Sequence, residues 1–186
     1  MNIKLGLIGA PRSGKSLIGN FLLEKKGFKQ FAFADQVKKD FFSISDYSEE
    51  DFEWAKRYNN NLEQEIRKSL WDYSDDMKKE NGKFYFIRPV VDKIKDYNGD
   101  VIVTDIRTLD EMNALIDIGA KLIVISRSDL EENMIRGTRI PYRDIVKFAK
   151  FNNCFKNLKD LYKNFEIFFR EEIMDADSEG GSCKNN

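Results

Sequence analysis

Apolar residues recur along this chain in short runs and at helical spacing by turns. Residues 3 to 9, Ile-Lys-Leu-Gly-Leu-Ile-Gly, form an apolar run that closes on glycine, the pattern of a buried strand entering a turn. After Gly14, the residues Leu17, Ile18, Phe21 and Leu22 fall at helical spacing as far as Gly27, where a helix stop is expected. Phe31-Ala32-Phe33 reads as a second short strand, followed by Asp35 and a helix-like stretch from Val37 to Phe42. Val101-Ile102-Val103-Thr104 is a third, buried strand; Thr108 with Glu111 then forms a capping box ahead of Leu109, Met112, Leu115 and Ile116, and Gly119 ends that helix. Leu122 to Ile125 is another buried strand, and Ser128 with Glu131 caps the next helix. Beyond an irregular stretch around Pro141, residues 158–173 place Leu158, Leu161, Tyr162, Phe165, Phe168 and Phe169 on one helical face, which core packing explains without a ligand.

Strands alternating with helices predict an α/β fold: a mostly parallel sheet of about five strands with helices on both sides. Residues 44–98 interrupt that alternation. They contain no convincing strand and offer cap signals instead, Ser48 with Asp51 and Asn60 with Glu63, so they read as an inserted helical region. Its aromatic residues Trp54, Tyr58 and Trp71, with Phe84, Tyr85 and Phe86, are expected mainly in the insertion's core, with stacking on a base as the rival reading. Residues 174–186 are rich in Ser, Gly, Glu and Asn and are expected to be a disordered tail, leaving 1–173 as one elaborated domain.

Composition narrows the chemistry. The 186 residues carry 31 Lys and Arg against 32 Asp and Glu, so a global basic surface for nucleic acid is not expected and any basic site must be local. Histidine is absent, which excludes Ser-His-Asp and Cys-His mechanisms and histidine-ligated zinc. Two distant cysteines, Cys154 and Cys183, exclude a disulfide framework and fit a reducing, cytoplasmic compartment. The first apolar run is too short to span a bilayer, so no membrane association is expected.

The most specific segment is Gly9-Ala10-Pro11-Arg12-Ser13-Gly14-Lys15-Ser16, a full match to G-x-x-x-x-G-K-[ST] placed between a strand and an amphipathic helix. In that setting backbone N–H groups and a helix N-terminus can surround a polyphosphate. Lys15 is then expected to reach the β- and γ-phosphates of ATP and the Ser16 hydroxyl to ligate Mg²⁺, while Gly14 lets the main chain approach closely. The bland alternative is an ordinary glycine turn with its lysine in solvent. A GTPase would need a guanine-reading N-K-x-D segment, and none is present.

Gly9 to Ser16, then Phe33-Ala34-Asp35-Gln36-Val37-Lys38, then Ile102-Val103-Thr104-Asp105-Ile106-Arg107 with Glu111 and Gly119, resemble the phage and bacterial deoxynucleoside monophosphate kinases. These belong to the nucleoside monophosphate kinase group of P-loop proteins, to which dephospho-CoA kinase is related. The family's segments read F-A-D-P-L-K and I-S-D-V-R-x-x-x-E, so Gln36 here replaces a proline. The resemblance implies a three-layer P-loop fold in which 44–98 binds the acceptor and 127–143 is a short lid. It places Asp35 near the acceptor, Arg67 and Arg88 on its phosphate, and Asn157 beside the nucleotide base; the other reading makes Asp35 the N-cap of a helix starting at Gln36 and leaves the two arginines on a solvated face. Among Arg127, Arg136, Arg139 and Arg143 of the lid, Arg136 and Arg139 are the choices for closing over the phosphates.

Charge supplies the remaining roles. A nucleotide kinase must hold two polyanions in line, which calls for Mg²⁺, Lys and Arg more than for acid and base groups. Asp105, just past a buried strand, stands where a carboxylate would meet Mg²⁺ or its water, or else caps a turn. Arg107 would clamp the acceptor phosphate, or else pair with a helical acid. The expectation is ATP- and Mg²⁺-dependent transfer to a (deoxy)nucleoside 5′-monophosphate. One rival is a hydroxyl acceptor such as dephospho-CoA or a nucleoside, with Asp35 as base; the other is a nucleotide-binding protein without transfer chemistry. The small-molecule acceptor is the expected partner, with a homodimer left open and nucleic acid disfavoured.

Overall fold

The computed structural model of the chain describes residues 2–127 and 138–174. Along the chain the elements run β1 (Lys4–Ile8), α1 (Lys15–Lys26), β2 (Lys29–Phe31), α2 (Phe33–Phe42), α3 (Glu49–Tyr58), α4 (Asn60–Asn81), α5 (Ile87–Asp96) and β3 (Val101–Val103). They continue with α6 (Leu109–Asp117), β4 (Lys121–Ser126), α7 (Tyr142–Ile145), β5 (Ala149–Asn152), α8 (Leu158–Phe169) and a π-helical turn (Arg170–Met174). Two compact units divide the chain, one of Met1–Gln30 with Asn98–Asn186 and one of Phe31–Tyr97.

The sheet has the order β2-β3-β1-β4-β5. The pairings of β1 with β3, β1 with β4 and β4 with β5 are all parallel, with Gly6 opposite both Val103 and Leu122 and Val124 opposite Lys150. Parallel neighbours need crossover connections, and these deliver helices to both faces. Alternation along the strands sorts the side chains. Leu5, Leu7, Ile102, Ile123, Ile125 and Phe151 join Ile18, Phe21 and Leu22 of α1 and Leu161, Phe165 and Phe169 of α8 in one core. On the opposite face a Cβ at Gly6 would press on Leu122, Ile106 and Leu115 of α6. The α/β class expected from the sequence is the class observed.

Local signals explain the helix ends. Gly27 stops α1 at φ 73°, its N–H donating to the Leu22 carbonyl. Both capping boxes form, Ser48 with Asp51 on α3 and Thr108 with Glu111 on α6. The cap of α4 is Asn59, not Asn60: its side chain accepts from the Leu62 N–H, and with leucine at that position the bond has no reciprocal partner, so the expected pairing of Asn60 with Glu63 does not form the cap. Phe31-Ala32-Phe33 is not a strand. β2 stops at Phe31 and α2 begins at Phe33, because Phe33, Val37 and Phe41 share a helical spacing that places Phe33 and Phe41 in buried positions.

Two further departures concern the end of the chain. β5, absent from the sequence reading, is four residues long with Phe151 its buried position, too short for its alternation to register. The helix expected over 158–173 changes to π geometry at Arg170, where a slower turn brings Ile173 into the core.

The helical unit starts at Phe31 and therefore includes α2. Its core is Phe41, Phe52, Ala55, Ile66 and Leu70. The rings of Phe31 and Tyr97, 5.9 Å apart, join its two ends. Trp54, Tyr58 and Trp71 are exposed, by 52%, 71% and 54%, which corrects their assignment to the core; Phe86 is buried as expected. The cap of Ser128 with Glu131, the lid residues Arg136 and Gly137, Cys183 and the tail over 175–186 lie outside the described residues. Among the described residues no helix is long and apolar enough to cross a membrane.

Candidate functional site

The loop from Gly9 to Ser16 joins the C-terminal end of β1 to the N-terminus of α1, and its shape follows from two glycines and one lysine. Gly14 takes φ 104° and ψ 8° at the helix entrance, where a side chain would also strike the Asn153 amide at 2.2 Å. A Cβ at Gly9 would sit 2.4 Å from the Ile125 carbonyl oxygen and 2.7 Å from the Ser13 hydroxyl. The loop is thus folded tightly against the end of β4. Arg12 adopts φ 66°, the only positive φ outside glycine among the described residues.

The Lys15 side chain folds back over this loop. Its ammonium donates to the carbonyl oxygens of Gly9 at 2.7 Å and Ala10 at 2.8 Å. Burial, and after it the positive charge of Arg107, together lower its pKa from 10.5 to about 8. The solvent-exposed turn is therefore the wrong description of this segment. The Ser13 hydroxyl is buried and, among the described residues, is the one buried side-chain polar atom without a hydrogen-bond partner. The first helical N–H groups also lack an acidic residue in the first turn of α1 and a capping side chain on Gly14. A compact cradle, a partly buried ammonium and an unanswered hydroxyl fit a polyphosphate.

The end of β3 supplies the next residues. Asp105 and Arg107 follow β3 at the same C-terminal edge of the sheet from which the loop springs, on either side of the buried Ile106. Asp105 is half-buried and Arg107 is exposed. The Arg107 backbone is fixed from two directions. Its N–H donates to the Glu111 carboxylate at 2.7 Å, as does that of Thr108 at 3.0 Å, and its carbonyl accepts from the Arg139 N–H at 2.7 Å. The α6 capping box, legible in the sequence, thus does double duty as the anchor of Arg107. Arg139 is brought to the same edge by a main-chain bond that no sequence pattern announces.

Ser16 is exposed in the first turn of α1. Among the described residues no group of three His, Cys, Asp or Glu side chains converges on a metal position. Magnesium held mostly by phosphates and water needs only one or two protein oxygens, so the pair Ser16 and Asp105 fits it in kind. Pro11 and Arg12 are exposed at the loop's outer turn and Ala10 is half-buried.

The other expected residues have different surroundings. Asn157 caps α8, with its side-chain oxygen accepting from the Asp160 N–H at 2.9 Å and its amide nitrogen donating to the Asp160 carboxylate at 2.8 Å. Arg127 is exposed, and the Arg143 guanidinium stands 4.0 Å from its neighbour Asp144. In the helical unit, Asp35 is exposed in the first turn of α2 rather than at a strand end, and the N-cap of that helix is Ala32. Arg67 is engaged by Glu63 on its own helix through Nε at 2.8 Å and lies 5.2 Å from the centre of the Phe52 ring. Arg88 is exposed near the start of α5.

Sequence reasoning missed Asn153. It is buried just past β5, its N–H donates to the Ser126 carbonyl at 2.6 Å, and its side-chain amide donates to the Ser13 carbonyl at 2.8 Å. An asparagine between a short strand and the next helix reads as loop chemistry, and only the fold brings it to a residue 140 positions earlier.

No known family model matches the chain, and neither does any curated protein. Among solved structures it is similar to the shikimate kinase from Aquifex aeolicus vf5, with a TM-score of 0.48 and 16% identity over 89% of this chain and 95% of that one.

Proposed function

We propose that this chain is an ATP- and magnesium-dependent phosphotransferase whose acceptor is a (deoxy)nucleoside 5′-monophosphate. The observation that carries the reading is the Lys15 ammonium drawn onto the Gly9 and Ala10 carbonyls, with the charge of Arg107 bearing on it. Two cations at a glycine-built helix entrance suit a polyanion that must be held while one bond changes.

The γ-phosphorus gains a bond to an acceptor phosphate oxygen and loses its bond to the β-phosphate bridge, giving the nucleoside diphosphate and ADP. Entering phosphate oxygens replace the two carbonyls as acceptors for Lys15, and loop N–H groups with the Ser13 hydroxyl hold the remaining oxygens. Ser16 and Asp105 are the residues that would hold magnesium, which supplies charge neutralisation between the phosphates. Arg107, on a backbone fixed by Glu111 and Arg139, meets the charge of the transferred or acceptor phosphate. An acceptor phosphate has a second pKa of about 6 and is largely ionised at neutral pH, so a chain without histidine needs no strong base.

The test is ADP release from ATP and magnesium with the four deoxynucleoside monophosphates, the ribonucleotides, and the hydroxyl acceptors dephospho-CoA and shikimate. Turnover with a monophosphate supports the reading. Turnover with a hydroxyl acceptor alone replaces it, and ATP binding without turnover on any acceptor replaces it with a non-catalytic nucleotide binder.

A further inference from the structure

We infer that Asn153 is a positioning residue that sets the conformation of the phosphate-binding loop through its bond to the Ser13 carbonyl. A loop that cradles an anion must turn its N–H groups inward, so its carbonyls must face the protein and find donors there. Asn153 provides that donor for Ser13: its side chain is 5% exposed and its amide nitrogen lies 2.8 Å from the Ser13 oxygen. Only the NH₂ end of the amide can face a carbonyl, so the orientation of the group is determined.

The neighbouring geometry makes this contact a latch rather than a passing one. Gly14, the next residue, has φ 104°, and a Cβ there would stand 2.2 Å from the Asn153 amide nitrogen. The asparagine therefore fills the space in which any side chain at Gly14 would lie. On its other side, the Asn153 N–H holds the Ser126 carbonyl at the end of β4, next to the Ile125 carbonyl that limits Gly9. The two ends of the loop are thus registered against the end of β4, Gly9 directly and Ser13 through Asn153. Without the amide the Ser13–Gly14 peptide is free to flip, because glycine at that position tolerates either orientation, and a flipped peptide turns an oxygen toward the anion.

Two measurements on the full chain test this, with N153A and N153D as variants and thermal denaturation showing that each is folded. The first uses the unliganded protein, and reads amide hydrogen exchange in a peptide spanning residues 9–18. It includes the Ser13 N–H bonded to Ala10 and the Ile18 N–H bonded to Gly14. N153A is expected to speed exchange there by about tenfold, the scale of one lost hydrogen bond, and to leave residues 101–117 unchanged. The second, which rests on the proposed function, reads affinity for ATP with magnesium and for inorganic tripolyphosphate. Both are expected to weaken in parallel, by about tenfold in N153A and by roughly a hundredfold in N153D, whose carboxylate would oppose the Ser13 carbonyl and the polyanion. Loss of ATP affinity with tripolyphosphate affinity intact overturns the inference, since it would place Asn153 at the base. So does unchanged loop exchange in a folded N153A protein. If the unmodified protein binds neither probe, the kinase reading fails and the exchange result alone decides the latch.

Discussion

The positive charge of Arg107, just past β3, bears on the ammonium of Lys15 at the start of α1, and with burial holds its pKa near 8. Two segments separated by 92 positions in sequence, 15 to 107, thereby share one electrostatic site. The coupling has a measurable sign. Lys15 pays a burial cost when charged, so the folded state is disfavoured below pH 8 relative to above it, and that penalty fades as pH rises from about 8 toward 10.5. Polyphosphate affinity runs the other way. The bound anion favours the charged ammonium, so above pH 8 binding must take up a proton, and affinity is expected to fall by up to about tenfold per pH unit. Calorimetry at pH 8.5 in buffers of different ionisation enthalpy should show proton uptake, and K15M should abolish it. R107Q should shift the falling limb to higher pH while weakening affinity at pH 7. A limb unmoved in R107Q would mean that burial alone sets the Lys15 pKa.

The two loop glycines should fail in different ways. G9A drives a methyl against the Ile125 backbone oxygen, which cannot step aside, and is expected to cost roughly 1–3 kcal/mol of stability, the range for overpacking. G14A meets a left-handed φ and the Asn153 side chain, so the double variant G14A/N153A should recover part of the loss while G9A/N153A should not. Chemical denaturation of the four proteins with N153A alone completes both cycles; additive effects in both would show that the contact is not felt.

Removing the anchor of Arg107 should lower stability modestly and activity more. E111A leaves the Arg107 and Thr108 N–H groups without their carboxylate and is expected to cost about 1 kcal/mol, as for a lost cap. If Arg107 acts on phosphate, kcat/KM should fall by well over the amount that a 1 kcal/mol stability change produces in a protein assayed far below its melting temperature. Equal kcat/KM in a folded E111A protein would show that the cap serves α6 alone.

Phe165 is fully buried among Phe21, Phe151, Phe168 and Phe169, at the junction of α1, β5 and α8. F165A should destabilise by about 3–5 kcal/mol, the range for large aromatic truncations in a core. A loss of less than about 1 kcal/mol in urea denaturation would mean the site collapses around the smaller residue.

Features whose physics is local are written in the order of the residues. A glycine-terminated apolar run followed by G-x-x-x-x-G-K-S specifies strand, loop and helix, since each residue's role depends on neighbours within a few positions. The Gly27 stop and the Ser48 and Thr108 capping boxes belong to the same class. Where a short apolar run suits two periods, as in Phe31-Ala32-Phe33, the packing of Phe33 and Phe41 decided for helix. Trp54, Tyr58 and Trp71 satisfied an aromatic pattern, yet the small core of the helical unit closed around Phe41, Phe52 and Ile66 without them. Tertiary structure alone decided what surrounds the loop. The bond from Asn153 to Ser13, the approach of Ile125 to Gly9 and the bond from Arg139 to Arg107 all join residues brought together by crossover connections of a parallel sheet. Such connections put distant strand ends on one edge, and one-dimensional spacing carries no record of which residues meet there.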